Sequence, residues 1–342
     1  MTADKKRKIV IAVSLFAALA VIIVLCLFLP LVLKVASGDV TIKIPVNATR
    51  QNVRDSVALY LGEDYADHVM MAATLMRSDF SDRHGAYLIE EGMSPLKAAR
   101  RLTKGGQQPM NVTVNGFRTL PRLTQKMAAR LDFTADSLMD VITDPFLLKE
   151  YDLEPEQALA LFVDDTYEVY WSVSPEELVD KIGDNYNRVW NEERRTKADS
   201  LGLSPAEVMT LCSIVDEETN KVDEKGKVGR LYLNRIRKGM PLQADPTVKY
   251  ALQDFSLRRI RNEHLKADSP YNTYRNKGLP PGPIRTTSVT TIDEILNSQP
   301  SEDIYMCAKE DFSGYHNFAA SYKEHQENAK KYRQQLNKRG IR

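Results

Sequence analysis

Three acidic residues, Asp216, Glu217 and Glu218, follow one another where a predicted helix ends. Residues 204–207 (Ser-Pro-Ala-Glu) combine an N-cap serine, a proline at the first helical position and a capping-box glutamate. They therefore predict a helix over residues 205–219. Negative charge at a helix C-terminus is unfavourable by roughly 0.3–1 kcal/mol for each group. The cluster is thus either a solvated helix end followed by a turn or a place where carboxyl chemistry is needed.

Helical periodicity separates the three acids. At about 100° per residue, the apolar residues Val208, Leu211, Cys212, Ile214 and Val215 cluster on one face of this helix. Glu217 points almost directly away from that face, whereas Glu218 and Asp216 lie about 70° and 90° to its two sides. Glu218 is the acid most easily covered by apolar side chains, and desolvation raises the pKa of a covered carboxyl. A general acid for glycosidic bond cleavage needs such a carboxyl.

Length and charge limit the class of protein that carries this helix. The 342 residues suffice for two soluble modules. The net charge is +1, and the first 34 residues account for +4, which leaves −3 for the rest. A mildly acidic remainder has no electrostatic footprint for nucleic acid, so no nucleic-acid partner is predicted. The three cysteines, Cys26, Cys212 and Cys307, fit small buried side chains, and a Cys212–Cys307 disulfide is left open.

The N-terminus predicts a membrane anchor. Residues 9–33 carry no charge and can span a hydrocarbon layer of about 30 Å as a helix. Four basic residues precede this stretch at positions 5–8, so the positive-inside rule places residues 1–8 in the cytoplasm and the rest of the chain outside. A cleaved signal peptide is the alternative, but the apolar stretch is too long for one and lacks an A-x-A site.

Strands and helices alternate in the soluble part. Strands are predicted at residues 41–44, 85–89 and 112–114, with helices from 51 to 61 and from 95 to about 105. These units form a small α+β module over residues 39–115, which a helical connection over residues 116–155 follows. Later elements are a charged helix from 175 to about 197, a loop-rich region after 240, a strand at 304–307 and a helix over about 321–339.

Four segments, in order, resemble the YceG-like endolytic murein transglycosylases. The first is Ser213-Ile-Val-Asp-Glu-Glu-Thr219 and the second runs from Arg230 through Leu242-Gln-Ala-Asp-Pro-Thr-Val248. The third is Tyr271-Asn-Thr-Tyr274 with Gly278-Leu-Pro-Pro-Gly-Pro-Ile284, and the fourth is His316-Asn-Phe318 with His325. Each segment alone is weakly specific, whereas four in order over more than a hundred residues are highly specific.

The resemblance implies a fold and a catalytic acid. It implies an α+β chain with one N-terminal transmembrane helix, a LysM-like α+β module at residues 39–115 and a mixed α/β catalytic domain at residues 156–342. The acid of the family aligns with Glu218, the residue that the helical geometry selects. Where the family usually has Glu, this chain has Asp216, which is therefore expected to support Glu218 rather than to replace it.

The activity implied is that of a peptidoglycan lytic transglycosylase, a lyase. Glu218 would protonate the glycosidic oxygen between MurNAc and GlcNAc and then accept the proton of the MurNAc C6 hydroxyl, which closes a 1,6-anhydro ring. Gln243, Asn272 and Tyr274 are predicted either to position the sugars or only to shape the loops around them. Asp245 is given a smaller chance of touching substrate, and Asp216 is counted with the substrate site.

Two other functions stay open at this point. A hydrolytic muramidase would need a second carboxylate about 5–9.5 Å from Glu218, for which Asp245 is the better candidate since Asp216 diverges from Glu218 by about 160°. A non-catalytic glycan-binding scaffold is the other alternative. His316 and His325 fit structural and catalytic roles equally, and no cysteine or clustered acid nearby predicts a metal or cofactor. Family resemblance adds glycan-polymerising synthases as possible partners at a bacterial inner membrane, with the catalytic domain in the periplasm.

Overall fold

The chain divides into two units, residues 1–110 with 169–173 and residues 111–168 with 174–342, each described here by itself. The computed structural model describes residues 3–80 and 83–340. Residues 1 and 2 of the predicted cytoplasmic tail, and residues 341 and 342 of the predicted catalytic domain, lie outside the described residues.

The first unit begins with the apolar helix α1 (Ala3–Leu33). Among the described residues, Arg7–Leu33 is the one helix long and apolar enough to cross a membrane, and its side chains are exposed rather than packed in a core. The predicted span over residues 9–33 falls inside it. Towards its end the chain joins the core of the unit, since Leu31 and Ala36 are only 3% and 2% exposed.

Two strands and three helices complete the first unit. The elements are β1 (Val40–Ile44), α2 (Arg50–Leu61), α3 (Glu63–Leu75), β2 (Gly85–Ile89) and α4 (Pro95–Lys104). Strands β1 and β2 pair antiparallel, from Val40 opposite Ile89 to Ile44 opposite Gly85. Their inward residues pack with the helices around a core that includes Val57, Val69 and Leu102. Helix α3 has no sequence signal at its start because Gly62 occupies the N-cap without a side-chain cap.

The described residues of the second unit form a three-stranded sheet, a two-stranded hairpin, ten α-helices and two 3₁₀ turns. Its elements before the central helix are β3 (Met110–Val114), α5 (Leu120–Ala128), α6 (Ala135–Ile142), α7 (Pro145–Glu150), a 3₁₀ turn (Pro155–Leu161), β4 (Val163–Val169), α8 (Pro175–Val189) and α9 (Glu192–Leu201). Those that follow are α10 (Pro205–Glu218), α11 (Val222–Arg237), α12 (Asp245–Ala251), a 3₁₀ turn (His264–Lys266), β5 (Thr287–Ser288), α13 (Val289–Leu296), β6 (Tyr305–Ala308), β7 (His316–Ala319) and α14 (Tyr322–Lys338).

Two details differ from the predicted elements. Strand β3, predicted to belong to the module before residue 116, lies in a sheet of order β3-β4-β5 with strands of the second unit. The single helix predicted from 175 to about 197 is two helices. Asn191 interrupts it because its side chain accepts a hydrogen bond from the Arg194 amide at 3.0 Å and so caps a new helix. The predicted division of the chain into a module, a connection and a catalytic domain stays a prediction.

Helix α10 is the centre of the second unit. The predicted capping box forms, with Ser204 accepting from the Glu207 amide and Glu207 accepting from the Ser204 amide. The helix is buried on all sides rather than on one face, since every residue from Val208 to Val215 is buried. Thr210 and Ser213 tolerate this burial because each hydroxyl donates to a carbonyl one turn earlier, at 2.8 and 2.7 Å. The helix therefore holds its C-terminal acids on a rigid axis.

Strands β6 and β7 form an antiparallel hairpin that carries the C-terminal residues of the site. The register runs from Tyr305 opposite Ala319 to Ala308 opposite His316. Helix α14 packs on this hairpin, with Ser321 as its N-cap. The strand and the terminal helix predicted at residues 304–307 and 321–339 are thus confirmed to within one residue at each end.

Candidate active site

The acids at the end of α10 point to three different surroundings. Glu217 accepts a bidentate pair from Arg118, at 3.0 and 2.7 Å, and a further bond from Arg285 at 3.1 Å. Asp216 is enclosed by donors of neighbouring elements, whereas Glu218 lines a cleft of about 410 Å³ that neither of the other two acids lines. The three carboxylates therefore point in different directions, as helical periodicity indicated. Asp216 and Glu217 bind protein donors, and Glu218 is left to meet a ligand.

Asp216 connects α10 to three neighbouring elements. Its Oδ1 accepts from Lys225 Nζ at 2.6 Å and from Thr291 Oγ1 at 2.7 Å, and its Oδ2 accepts from Thr287 Oγ1 at 2.5 Å. The side chain is 7% exposed and does not line the cleft. Asp216 was counted with the substrate site on sequence grounds, but in the structure its carboxylate is already occupied by protein donors. It can support the position of Glu218 through the helix end.

Glu218 is partly buried, and this burial decides its acidity. Its Oε1 accepts a hydrogen bond from the hydroxyl of Tyr232, on α11, at 2.9 Å. The pKa of Glu218 is raised to about 7, chiefly by desolvation and also by the negative charge of Asp245. The Tyr232 hydrogen bond and the charges of His316 and Lys249 oppose this rise because they favour the carboxylate. Near neutral pH the group is thus able both to donate and to accept a proton.

The cleft in front of Glu218 has a volume of about 410 Å³. Its walls come from α10, α11, the loop before α12, the loop around Tyr274, the β6–β7 hairpin and α14. Aromatic and polar side chains dominate them, among which Tyr232, Tyr274, Tyr305, Tyr322, Gln243, Asp245, Arg235 and His316 surround Glu218. Aromatic faces with interspersed hydrogen-bonding groups suit a ligand rich in both C–H and O–H bonds, such as a sugar.

Gln243 lines the cleft on a strained backbone. Its φ is 56°, in the left-handed region that a residue with a side chain adopts at some cost. Arg235 holds the side chain by donating from Nη2 to Oε1 at 2.7 Å, and the Gln243 amide donates to the Thr273 carbonyl at 3.1 Å. With Oε1 taken by Arg235, the Nε2 amide group is the end that can meet a ligand.

Asp245 and Tyr274 form a pair on the cleft wall. The hydroxyl of Tyr274 donates to Asp245 Oδ1 at 2.6 Å, and both residues line the cleft. Burial raises the pKa of Tyr274, and the neighbouring Asp245 carboxylate adds to this rise, so the phenol stays protonated. Asp245 is the first residue of α12 and is the second carboxylate that lines the cleft.

Asn272 lies outside the cleft lining. It is 0% exposed, and its Nδ2 donates to the carbonyls of Leu265 and Ala267 at 2.9 and 2.8 Å. Its Oδ1 accepts from the Tyr274 amide at 3.1 Å. Of the two roles predicted for Asn272, the structure favours the shaping of the loop that presents Tyr274.

His316 and His325 both line the cleft but are held differently. His316 Nδ1 lies 2.9 Å from Glu224 Oε2, and Glu224 is buried. The ring of His325 stacks on Tyr305 with centroids 5.2 Å apart, and burial and the charge of Arg235 lower its pKa. His325 therefore extends an aromatic wall, whereas His316 is part of a hydrogen-bonded pair.

The His, Cys, Asp and Glu side chains and the cysteine thiols were also considered for metal binding and thiol chemistry. Within residues 3–80 and 83–340, no group of three or more His, Cys, Asp or Glu side chains is arranged to hold a metal ion. The thiols of Cys212 and Cys307 are free, the first fully buried in α10 and the second on β6 beside the cleft.

Sequence patterns did not single out Tyr232, Arg235 or Glu224, although all three contact the predicted site. Leu231, Tyr232 and Arg235 line the cleft from one face of α11, where neighbours at i, i+3 and i+4 meet. A helical projection of the segment from Arg230 could have shown that face. The projection could not have shown which element this face of α11 contacts, because its partner Glu218 belongs to another helix.

Comparison with known proteins agrees with the resemblance found in the sequence. A sequence model of the YceG-like family matches residues 42–331. A curated relative named endolytic murein transglycosylase, from Bacillus subtilis, is 35% identical over 130 residues, which cover 38% of this chain and 35% of the relative. A relative of the same name from Streptococcus pneumoniae serotype 2 is 26% identical over 255 residues, covering 66% of this chain and 46% of the relative. The chain thus spans less than half the length of these two relatives.

A solved structure shares the fold. The crystal structure of a yceG-like protein from Listeria monocytogenes matches with a TM-score of 0.57 at 23% identity. The match covers 85% of this chain and 99% of that one. At this identity the likeness concerns the fold alone.

Proposed function

Because the chain belongs to the YceG-like family, we propose that it is an endolytic peptidoglycan lytic transglycosylase with Glu218 as its acid and base. It would cleave the bond between MurNAc and GlcNAc inside glycan strands and leave 1,6-anhydroMurNAc ends, which limits strand length. The observation that carries the proposal is a partly buried Glu218, with its pKa raised to about 7, in a cleft of sugar-compatible side chains. The names of the curated relatives support the same activity.

The first chemical step is proton donation. Glu218 gives its proton to the glycosidic oxygen as the bond to C1 of MurNAc breaks. The nucleophile is the C6 hydroxyl of the same MurNAc ring, so no second protein carboxylate is needed to activate water. Attack within one ring gains a high effective concentration and needs only correct positioning. A carboxylate formed at Glu218 is then available for the proton of that hydroxyl.

The cleft residues have distinct proposed roles. Gln243 would donate from Nε2 to a sugar oxygen, and the Asp245–Tyr274 pair would accept and donate at sugar hydroxyls. Asp216 and Asn272 would act indirectly, the first by fixing the end of α10 and the second by fixing the Tyr274 loop.

A hydrolytic muramidase is the second candidate, on the strength of one observation. Asp245 lines the same cleft as Glu218, and its charge contributes to the raised pKa of Glu218. In a hydrolase it would activate water, provided that the carboxyls stand about 5–9.5 Å apart. The products separate the two reactions, since hydrolysis leaves reducing ends and the lytic reaction leaves anhydro ends.

We further propose that α1 anchors the enzyme in the bacterial cytoplasmic membrane. The basic residues 5–8 would stay in the cytoplasm and the two soluble units would lie in the periplasm. Residues 39–115 would serve as a LysM-like glycan-binding module beside the membrane. This location would let the enzyme cut nascent strands next to glycan-polymerising synthases.

The deciding experiment is mass spectrometry of glycan strands digested by the full chain in detergent. The wild type should give internal fragments ending in 1,6-anhydroMurNAc, lighter by one water than hydrolysis products. Glu218→Gln should give none, whereas Glu217→Gln, a neighbouring acid outside the cleft, should keep the activity. Reducing ends would assign a hydrolase and point to Asp245. No cleavage by a folded wild type would favour a glycan-binding scaffold.

A further inference from the structure

The side chain of Gln243 is held so that its nitrogen end is the one that can meet a ligand. Arg235 Nη2 donates to Gln243 Oε1 at 2.7 Å. A guanidinium has no acceptor, so the atom of Gln243 that faces it must be the oxygen, and the amide cannot turn over. Gln243 lines the cleft, and its Nε2 makes no hydrogen bond with the residues that the structure describes. The cleft therefore offers a ligand a hydrogen-bond donor at this point.

Arg235 is itself fixed from two further directions. The residue is 6% exposed, and it donates from Nε to the Pro241 carbonyl at 2.9 Å and from Nη1 to the Ile304 carbonyl at 2.8 Å. Both acceptors belong to the backbone, so the guanidinium cannot turn to follow a different orientation of Gln243. Arg235 is thus a positioning residue, because it decides which end of the Gln243 amide faces the cleft.

The backbone of Gln243 is held as firmly as its side chain. Its φ of 56° lies in the left-handed region. The Gln243 amide donates to the Thr273 carbonyl at 3.1 Å, and the next amide, that of Ala244, donates to the Thr273 hydroxyl at 3.1 Å. A residue keeps a strained backbone of this kind where its surroundings fix it, and such positions cluster at binding sites.

Apolar side chains line the same cleft. Leu231 and Leu242 are each 2% exposed, and Met306 and Ala308 lie on β6. Leu242 directly precedes Gln243 in the chain. A group that carries a carbonyl oxygen next to a methyl group needs a donor for the oxygen and an apolar surface for the methyl. A sugar hydroxyl fits this combination less well, since it also donates and has no methyl to bury.

We infer that Gln243, oriented by Arg235, recognises the acetamido group of an N-acetylated amino sugar. The inference rests on the proposed function and names the substituent by which the cleft would select its glycan. Gln243 Nε2 donates to the acetamido carbonyl, and the methyl packs on apolar side chains such as Leu231 and Leu242. This contact fixes the ring to which the acetamido group belongs, and so places a glycosidic bond relative to Glu218.

The lactyl group of MurNAc also offers a carbonyl and a methyl, and the substrates of the test separate the two sources. The full chain in detergent is given uncross-linked glycan strands, or the same strands after enzymatic de-N-acetylation, which leaves an ammonium in place of the acetamido group and keeps the lactyl group. We expect the wild-type kcat/KM to fall at least about tenfold on the de-N-acetylated strands, because the Gln243 donor loses its acceptor. Chemical re-acetylation of these strands should restore the rate.

Gln243→Glu should reverse this preference. One carboxylate oxygen stays on Arg235, and the other replaces a donor by an acceptor that attracts the ammonium of the de-N-acetylated strands. The matched control is Gln253→Glu, the same change at a second exposed glutamine with a φ of 53°. Gln253 does not line the cleft, and its Nε2 donates to the Tyr250 carbonyl at 2.8 Å. This control should keep the wild-type preference.

Arg235→Lys tests the positioning role. An ammonium does not present the planar set of donors by which the guanidinium holds three acceptors. We expect KM for acetylated strands to rise about tenfold with kcat within about threefold of the wild type, and the preference for acetylated strands to fall below about threefold. A residue that only supported the fold would lower the activity on both kinds of strand alike.

Two results would overturn the inference. One is a wild type that cleaves both kinds of strand within threefold of each other, which recognition of the lactyl group would give. The other is a folded Gln243→Glu enzyme that keeps the wild-type preference. If Gln243→Glu does not fold, an Arg235→Lys enzyme with an undiminished preference has the same meaning.

Failure of the proposed function gives a different result. A folded wild type that cleaves neither kind of strand would refute the proposed activity. Dissociation constants of the two kinds of strand, measured in the Glu218→Gln background, then decide the recognition without any chemistry. Gln243→Glu should still reverse the preference in that background, and an unchanged ratio of the two constants would overturn the inference.

Discussion

At the residue scale, the property that separates Glu218 from its neighbours is where its carboxyl lies. Asp216 and Glu217 are saturated by lysine, threonine and arginine donors, whereas Glu218 has one donor, the Tyr232 hydroxyl at 2.9 Å. A carboxylate with several donors has no reason to bind a proton near neutral pH, and one that is desolvated with a single donor does. Glu218 is suited to act as an acid because of its surroundings, and not because it is a glutamate.

Tyr232→Phe should raise the pKa of Glu218 further rather than remove its function as an acid. The hydroxyl of Tyr232 favours the ionised form of Glu218, and a hydrogen bond to a charged group is worth about 1.5–3 kcal/mol. Its loss should move the high-pH limb of kcat/KM to higher pH. At pH 6 the rate should fall less than about tenfold. A limb that stays in place would mean that the hydrogen bond does not set the acidity of Glu218.

The acidity of Glu218 also has a cost in stability with a definite pH dependence. Its pKa is about 7 in the folded protein against an ordinary 4.5, so the folded state holds the proton more tightly. The stability that this gives is complete below about pH 4.5 and is lost as the pH rises to about 7, by about 3 kcal/mol. Glu218→Gln should therefore raise the free energy of unfolding at pH 8 relative to the wild type.

The comparison at low pH is the control for that prediction. At pH 4 Glu218 is protonated in both states, so the variant and the wild type should unfold at nearly the same denaturant concentration. Chemical unfolding of the full chain in detergent at both pH values measures the difference. An equal stabilisation at pH 4 would mean that better packing, and not desolvation of the charge, is the cause.

At the scale of elements, α10 is positioned by charges at its C-terminus as much as by apolar contacts. Asp216 bonds to Lys225 on α11, Thr287 on β5 and Thr291 on α13, and the Lys225 side chain is 13% exposed. Removing one partner of a buried ion pair leaves the other charge unpaired, which costs about 3–5 kcal/mol. The arrangement gives Asp216 a role in holding the axis from which Glu218 projects.

Asp216→Ala should accordingly lower stability more than chemistry. We expect a loss of about 3–5 kcal/mol in the free energy of unfolding. Where the variant is still folded, kcat should stay within about tenfold of the wild type. Glu218→Gln should show the reverse, with activity abolished and a free energy of unfolding that is unchanged at pH 4 and increased at pH 8. A folded Asp216→Ala enzyme that has lost all activity would return Asp216 to the catalytic site.

At the scale of the whole molecule, a long apolar helix, α1, follows a basic N-terminal segment. Apart from the last few residues, where Leu31 is buried, the side chains of Arg7–Leu33 are exposed, and an exposed apolar surface of this length needs a partner other than water. We propose that a bilayer is that partner. The activity would then be confined to glycan within reach of the membrane.

Removal of residues 1–30 should therefore release the protein from the membrane. The full chain should sediment with membranes and resist extraction by high salt, whereas the shortened chain should stay in the soluble fraction. Starting at residue 31 keeps Leu31 and Ala36, which pack in the core of the first unit. A shortened chain that still sediments with membranes would show a second membrane attachment. The thermal unfolding curve of the shortened chain serves as the control for folding.

The sequence by itself determined the local elements with strong signals. Capping boxes, N1 prolines and regular apolar spacing predicted α10, the strands of the first unit and the terminal helix, because each signal lies within a few residues of the element it starts. The same periodicity selected Glu218 from three acids, and the long uncharged stretch predicted α1. Helix α3 and the break at Asn191 were not predicted, since a glycine N-cap and an asparagine inside a charged run carry little information.

Only the tertiary structure decided which residues meet. Tyr232, Glu224 and His316 come from distant parts of the chain, and no spacing rule relates their positions to Glu218. The structure likewise distinguished residues that can meet a ligand from residues that only shape the site, which the sequence could not do. Asp216 and Asn272 are enclosed by protein, whereas Gln243, Asp245 and Tyr274 line the cleft. The physical reason is that hydrogen bonding and desolvation depend on distances in space, whereas sequence patterns report only the neighbours along one element.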